Sequence, residues 1–228
     1  RVSKLTSTFF TSASLLAWTC ASIASLSYAQ SITEVGSLSQ PTMDHSATLL
    51  DDSRVLVIAT SGRSEVFSPS SNTWSLATSM AQGSEKHTAT KLLDGRVLVV
   101  GGFVRRSLMN SIGGYSIDHG VSRVEQFDPV TSQWSAAGAL ASNRAFHTAT
   151  RLASGDLLVI GGETFSLNPN TGEQEGLPVN SIERFSAANG QWSVVGALPN
   201  ALSGHTATLL ANGRLVLLGG INVAGNAT

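Results

Sequence analysis

The side chains that could do chemistry in this chain are few: five histidines, two tyrosines, one cysteine and fifteen carboxylates among 228 residues. Four of the histidines open the same phrase, His45-Ser-Ala-Thr, His87-Thr-Ala-Thr, His147-Thr-Ala-Thr and His205-Thr-Ala-Thr. A ring of imidazoles could be drawn from them. A residue that returns in every copy of a repeat is instead expected to serve each copy's own hydrogen bonding. The fifth, His119, follows Asp118 directly, and two adjacent residues are not a metal ligand set, so no metal is expected. Glu65, Glu125 and Glu183 also recur at matching places and are expected to meet arginines or backbone N–H groups within each copy. No Ser-His-Asp arrangement, glycine-rich phosphate loop or carboxylate pair at diagnostic spacing can be named. The sequence therefore names no catalytic residue and predicts no cofactor.

Composition narrows the partners. Lys and Arg number 14 against 15 Asp and Glu, and they are scattered, which argues against nucleic acid because phosphate binding needs clustered cations. With 42% hydrophobic and 13% charged residues the chain reads as an ordinary soluble globular protein. Its 22 glycines recur at fixed places and punctuate short strands.

The first segment differs from the rest. Arg1 and Lys4 precede an uncharged run from Leu5 to Thr33 that ends near Ser27-Tyr28-Ala29, a small-residue cleavage pattern. Residues 1–29 are expected to be a signal peptide, with 30–38 a short linker, which places the protein in a secreted or periplasmic compartment. A retained anchor is the rival, disfavoured by the many Ser and Thr in the run, and no other membrane contact is expected. Cys20 lies inside this segment, so the mature chain would hold no disulfide, thiolate metal site or cysteine nucleophile. Lipidation of Cys20 is disfavoured by the preceding Trp18-Thr19.

What must position any working residue is a repeat. Each His-x-Ala-Thr phrase leads into an apolar run, Val55 to Ile58, Val97 to Val100, Leu157 to Ile160 and Leu215 to Leu218. Three of these runs end in Gly101-Gly102, Gly161-Gly162 and Gly219-Gly220, whereas Ala59-Thr60 stands in the first copy. The pairs Asp94-Gly95 and Asn212-Gly213 predict type I′ hairpins with positive φ at both residues. An apolar run without alternation predicts a strand buried on both faces. Glu65-Val-Phe67, Glu125-Gln-Phe127 and Glu183-Arg-Phe185 are each followed seven residues after the Phe by Trp74, Trp134 or Trp192, a second hairpin with a packing anchor.

Four strands, a double glycine, a Glu-x-Phe run and a later Trp resemble the kelch repeat over residues 39–228. The resemblance implies an all-β fold, a β-propeller of four-stranded blades, here about three and a half: roughly 39–81, 82–141, 142–199 and a partial 200–228. The first copy is expected to be degenerate, and the sequence to be a piece of a longer propeller. The family's galactose oxidase-like branch needs a tyrosine cross-linked to cysteine, plus histidines. The part after residue 29 has Tyr115 and no cysteine, so that chemistry is not expected within these residues.

Repeat variation points to a working face. The His-to-His steps are 42, 60 and 58 residues, while every Trp-to-His step is 13. The difference lies between second and third strands, in long loops expected at 103–122 and 163–181. Such insertions mark the binding side of a repeat protein. They carry Arg105, Arg106, Tyr115, Asp118, His119, Glu163 and Phe165, with Arg144 at a joint nearby. The expected function is a binding or scaffold module for a protein or carbohydrate ligand; solvated surface with no ligand is the plainer possibility. The alternative is part of a carbohydrate-active propeller enzyme, an oxidase or sugar epimerase.

Overall fold

The computed structural model describes residues 35–110, 113–167 and 174–222; the side chains of 107–117 and 166–175 also lie outside the described residues. The signal segment expected at 1–29, Cys20 and most of the 30–38 linker therefore fall outside it. Contacts divide the chain at Val35, and every described strand belongs to the unit Gly36–Thr228.

The protein is all-β. The first sheet holds β1 (Ser46–Leu49), β2 (Val55–Ile58), β3 (Ser64–Ser68) and β4 (Thr73–Leu76), antiparallel in chain order. The second holds β5 (Thr88–Lys91), β6 (Val97–Val100), β9 (Arg123–Asp128) and β10 (Gln133–Ala139). The third holds β11 (Thr148–Arg151), β12 (Leu157–Ile160), β15 (Ser181–Phe185) and β16 (Trp192–Ala197). A terminal pair, β17 (Thr206–Leu209) and β18 (Leu215–Leu218), repeats the inner half of this pattern. The first copy builds its four strands in full despite Ala59-Thr60.

The inner hairpins turn differently from the expected type I′. Gly95 N–H donates to Leu92 O at 3.3 Å and Leu92 N–H to Arg96 O at 2.8 Å, and Gly95 alone has positive φ, 86°. That is a three-residue loop in which a tight turn ends in a left-handed bulge residue. Asp94 acts through its side chain instead: its carboxylate accepts the Arg96 N–H at 3.1 Å, as Asp52, Ser154 and Asn212 do for the residue two positions on.

The apolar strands lie between neighbouring sheets. Val97, Leu98, Val99 and Val100 are 0–2% exposed. Val97 and Val99 pack with Leu50, Leu56, Ile58 and Val66 of the first sheet; Leu98 and Val100 pack with Leu157, Val159 and Phe185 of the third. Period-2 alternation thus sends successive apolar residues into two different cores. Phe127 sits opposite Trp134 across β9 and β10 with ring centroids 5.3 Å apart, and the Phe67–Trp74 and Phe185–Trp192 pairs repeat this at 5.1 and 5.3 Å. The indoles also reach the preceding sheet: Trp134 Nε1 donates to Ser64 Oγ at 3.1 Å, and Trp192 Nε1 to Ala137 O at 2.9 Å. The register slip between Ala136 and Ala139 contains Gly138, where an added Cβ would come within 3.0 Å of Trp192, so the bulge makes room for the ring.

Candidate functional site

The insertions between second and third strands are β-hairpins, where the sequence led us to expect loops. One consists of β7 (Phe103–Asn110) and β8 (Gly113–Gly120), the other of β13 (Glu163–Leu167) and β14 (Gln174–Pro178). A loop of this length would leave many backbone groups to water, whereas a hairpin pairs them internally.

Each hairpin is anchored at its foot by a double glycine. Gly101 and Gly102 have φ of 64° and 95°; Gly102 N–H donates to Arg144 O at 2.8 Å, and its carbonyl accepts Val121 N–H at 2.8 Å. A Cβ on Gly101 would lie 2.5 Å from Arg144 O, and one on Gly102 2.5 Å from Glu85 O, so both the conformation and the backbone approach demand glycine. The next residue closes a small bridge: Phe103 and Glu85 exchange backbone hydrogen bonds of 2.9 and 2.8 Å. Gly161-Gly162 and the Glu163–Ala145 bridge repeat the arrangement, and Gly219-Gly220 with Ser203–Ile221 does so a third time.

At the foot of the hairpins lies an aromatic cluster. Phe103, 3% exposed, stacks on Phe146 at 6.0 Å and tilts against Phe165 of the other hairpin at 5.2 Å. The Arg105 guanidinium stands 5.4 Å over the Phe103 ring and forms an ion pair with Asp118, 2.8 Å from Nε to Oδ1. Hydrogen bonding and charge attraction from Asp118, with Glu85 adding, raise the Arg105 pKa. Glu163 accepts the Ser203 hydroxyl at 3.2 Å.

Of the residues singled out from sequence, Arg105, Asp118 and Phe165 come together around Phe103, and Glu163 stands at the foot of its own hairpin. Arg106 and His119 are exposed and alternate with Arg105 and Asp118 along their strands, which directs them to the opposite hairpin face. Asp118 and His119 therefore point apart. Tyr115 is placed on β8 by its backbone, and its side chain lies outside the described residues.

Arg144 is a correction. It is 0% exposed and cannot offer a ligand its charge from the surface. Its Nη2 donates to Glu183 Oε1 at 2.5 Å and to the Ser181 and Ser142 hydroxyls, and its Nη1 to the carbonyls of Gly161 and Ser181. Burial lowers its pKa, with Glu183 opposing. Glu183 also accepts Ala141 N–H at 2.7 Å, Glu125 accepts the N–H groups of Ala81 and Gln82, and Glu65 accepts Ser39 N–H and pairs with Arg63 at 2.7 Å. Each glutamate thereby ties the segment that enters its own sheet.

The histidines act between sheets, not within one. His87 Nδ1–H donates to Ser84 O, so its Nε2 accepts the Ser46 hydroxyl of the first sheet at 2.8 Å. His147 Nε2 meets Thr88 of the second sheet and His205 Nε2 meets Thr148 of the third, each at 2.9 Å. Burial lowers the pKa of all three, and His147 is brought to about 3, with the Arg144 charge and its two neighbouring histidines adding. His45 is exposed.

Sequence reasoning missed Phe103 and Phe146. Phe103 directly follows a double glycine, and Phe146 precedes a repeat histidine in a left-handed conformation, φ 53°, shared by Asp44, Lys86 and Gly204 at the equivalent places. The repeat marked both positions, but their meeting depends on the Glu85–Phe103 bridge.

No family model matches the sequence, and no curated protein matches it. Among solved structures the chain is similar to one titled "Structure of YjhT", at 14% identity and a TM-score of 0.60, over 85% of this chain and 66% of that one. At that identity the likeness speaks for the fold alone.

Proposed function

We propose that the three sheets and the terminal pair are successive blades of a kelch-like propeller in an exported protein, and that the two inserted hairpins form a binding surface for a protein or carbohydrate ligand. The observation that carries the binding reading is the convergence of the hairpins: Phe165 of one packs on Phe103 of the other, so two separate insertions form one surface beside the Arg105–Asp118 pair. The repeat does not need these hairpins, because the first sheet joins β2 to β3 through a short turn at 59–63 and still builds four strands. Extra chain that the fold can omit, joined at its foot by aromatic packing and presenting charge beside it, suits recognition.

The test replaces both hairpins by the short connection of the first sheet. The shortened protein is compared with the parent on a glycan array and by affinity capture from the exported fraction, with circular dichroism following the fold. Binding is lost while the spectrum is kept. Undiminished binding by the shortened protein overturns the proposal.

A further inference from the structure

We infer that a pocket of the second sheet, floored by Glu125, receives the ammonium group of a lysine side chain from a protein ligand. The three repeat glutamates are alike in burial, Glu65 and Glu125 at 4% exposure and Glu183 at 1%. Two of them meet an arginine of this chain: Glu65 pairs with Arg63 at 2.7 Å, and Glu183 with the buried Arg144. Glu125 has no such pair among the described residues. Its oxygens accept the N–H groups of Ala81 and Gln82, at 2.9 and 3.3 Å. A carboxylate held out of water without a cation is costly, so the exception points to a cation from outside the chain.

The repeat shows what would fill the place. Ser84 stands where Arg144 stands in the third sheet, each directly before a bridge residue, Glu85 or Ala145. Arg144 reaches the carbonyls of Gly161 and Ser181 as well as Glu183, whereas the Ser84 hydroxyl reaches Gly101 O, the counterpart of Gly161 O. Arg123 precedes Glu125 by two residues as Arg63 precedes Glu65, but its side chain is exposed and forms no ion pair with that carboxylate. The shorter side chain leaves a pocket whose wall includes Ser84, Val99, Gly101 and Glu125, all buried, with exposed Gln82 and Arg123 at its mouth. It has room for about one water-sized group. An ammonium is that compact and can donate to Glu125 and to the Gly101 carbonyl together, while a guanidinium is larger. The slender stem of lysine can carry it past the mouth; an amine fixed on a sugar ring cannot reach the floor. The solvated Arg123 guanidinium opposes the entering charge, so a lone ammonium is expected to bind weakly. The second sheet packs on the first and on the third, so the pocket belongs to a sheet with both neighbours in place. It adjoins the foot of the first hairpin, and the inference rests on the binding reading of that face, to which it adds a lysine-bearing ligand.

Titration of the full chain with n-butylammonium tests this, followed by NMR through the Ala81 and Gln82 amides, which report on the Glu125 carboxylate. Both amides shift saturably with n-butylammonium and do not respond to uncharged n-butanol or to glucosamine. Ser84→Arg, which supplies the guanidinium that the third sheet already holds, abolishes the response while the rest of the spectrum is kept. Glu125→Gln weakens binding by roughly tenfold or more, the share of a charge-assisted hydrogen bond. No saturable shift, an equal response to n-butanol, a response to glucosamine alone, or binding unchanged by Ser84→Arg overturns the inference. None of these readouts uses a ligand of the hairpins, so failure of the pocket and failure of the hairpin reading are told apart.

Discussion

The second sheet and the terminal pair are written in nearly the same words, yet their strands sit in different surroundings. Val97 to Val100 and Leu215 to Leu218 both follow a His-Thr-Ala-Thr phrase and a glycine turn, and both end in a double glycine of matching φ. The first run is buried throughout; in the second, three residues are half-buried and Leu218 is exposed. The sequence phrase specifies strand, turn and register. Burial is supplied by the neighbours, and the described residues place a sheet on each side of the second sheet and on one side of the terminal pair. The hydrophobic contribution of a repeat position therefore depends on its place in the stack, because it scales with the area removed from water.

Substitutions at matched and unmatched positions sharpen that contrast. The largest effect is expected at Phe127, fully buried between Trp134 and the first sheet: Phe127→Ala should lower the unfolding free energy by about 3–5 kcal/mol in urea titration. A loss below about 1 kcal/mol would break the assignment of Phe127 to the joint between sheets. Arg144→Ala should cost a similar or slightly smaller amount, about 3 kcal/mol, because it leaves the Glu183 carboxylate buried without its cation. Arg105→Ala, by contrast, should cost only a small fraction of that in the same titration, since the Arg105 side chain is half exposed although Asp118 is largely covered.

Next comes Leu98→Ala against Leu218→Ala, the same chemistry at two ends of the burial range. The first should cost about 2–4 kcal/mol and the second no more than about 0.5 kcal/mol. Equal losses would break the link between burial and cost on which the comparison rests.

The joints between sheets should also carry a pH dependence. His147 is neutral in the folded protein down to about pH 3, whereas an unfolded histidine takes up its proton near pH 6.5. Its stabilising contribution is thus fully present above about pH 6.5 and is lost as pH falls toward 3, with a slope of up to about 1.4 kcal/mol per pH unit. His87 and His205, also lowered by burial, act in the same direction. Urea titrations at several pH values should show the slope, and His147→Gln should reduce it; a slope unchanged in that variant would remove the imidazole as its source.

Much of this was legible in residue order. The recurrence of His, Gly-Gly, Glu-x-Phe and Trp at constant offsets marks four-stranded units, because each type answers a local need: a turn, a close backbone approach, a cap for an entering segment, a large ring to pack. The insertions were legible as extra length at one connection. Their form was not, since Phe103–Asn110 mixes apolar and charged residues without clean alternation, and hairpin pairing there depends on the anchor between Phe103 and Glu85.

The sequence alone determined the strands, the turn positions, the glycine feet of the hairpins and the place where the units differ, because these follow from backbone conformation and short-range chemistry. Only the tertiary structure decided what each recurring polar group touches. Arg144, which in sequence is an arginine at a joint like any surface cation, is buried on Glu183, and the histidines bond to hydroxyls about 41 to 59 residues away in the neighbouring sheet. Those partners are set by how sheets stack, and stacking distances carry no fixed offset in the chain once insertions of unequal length lie between the strands.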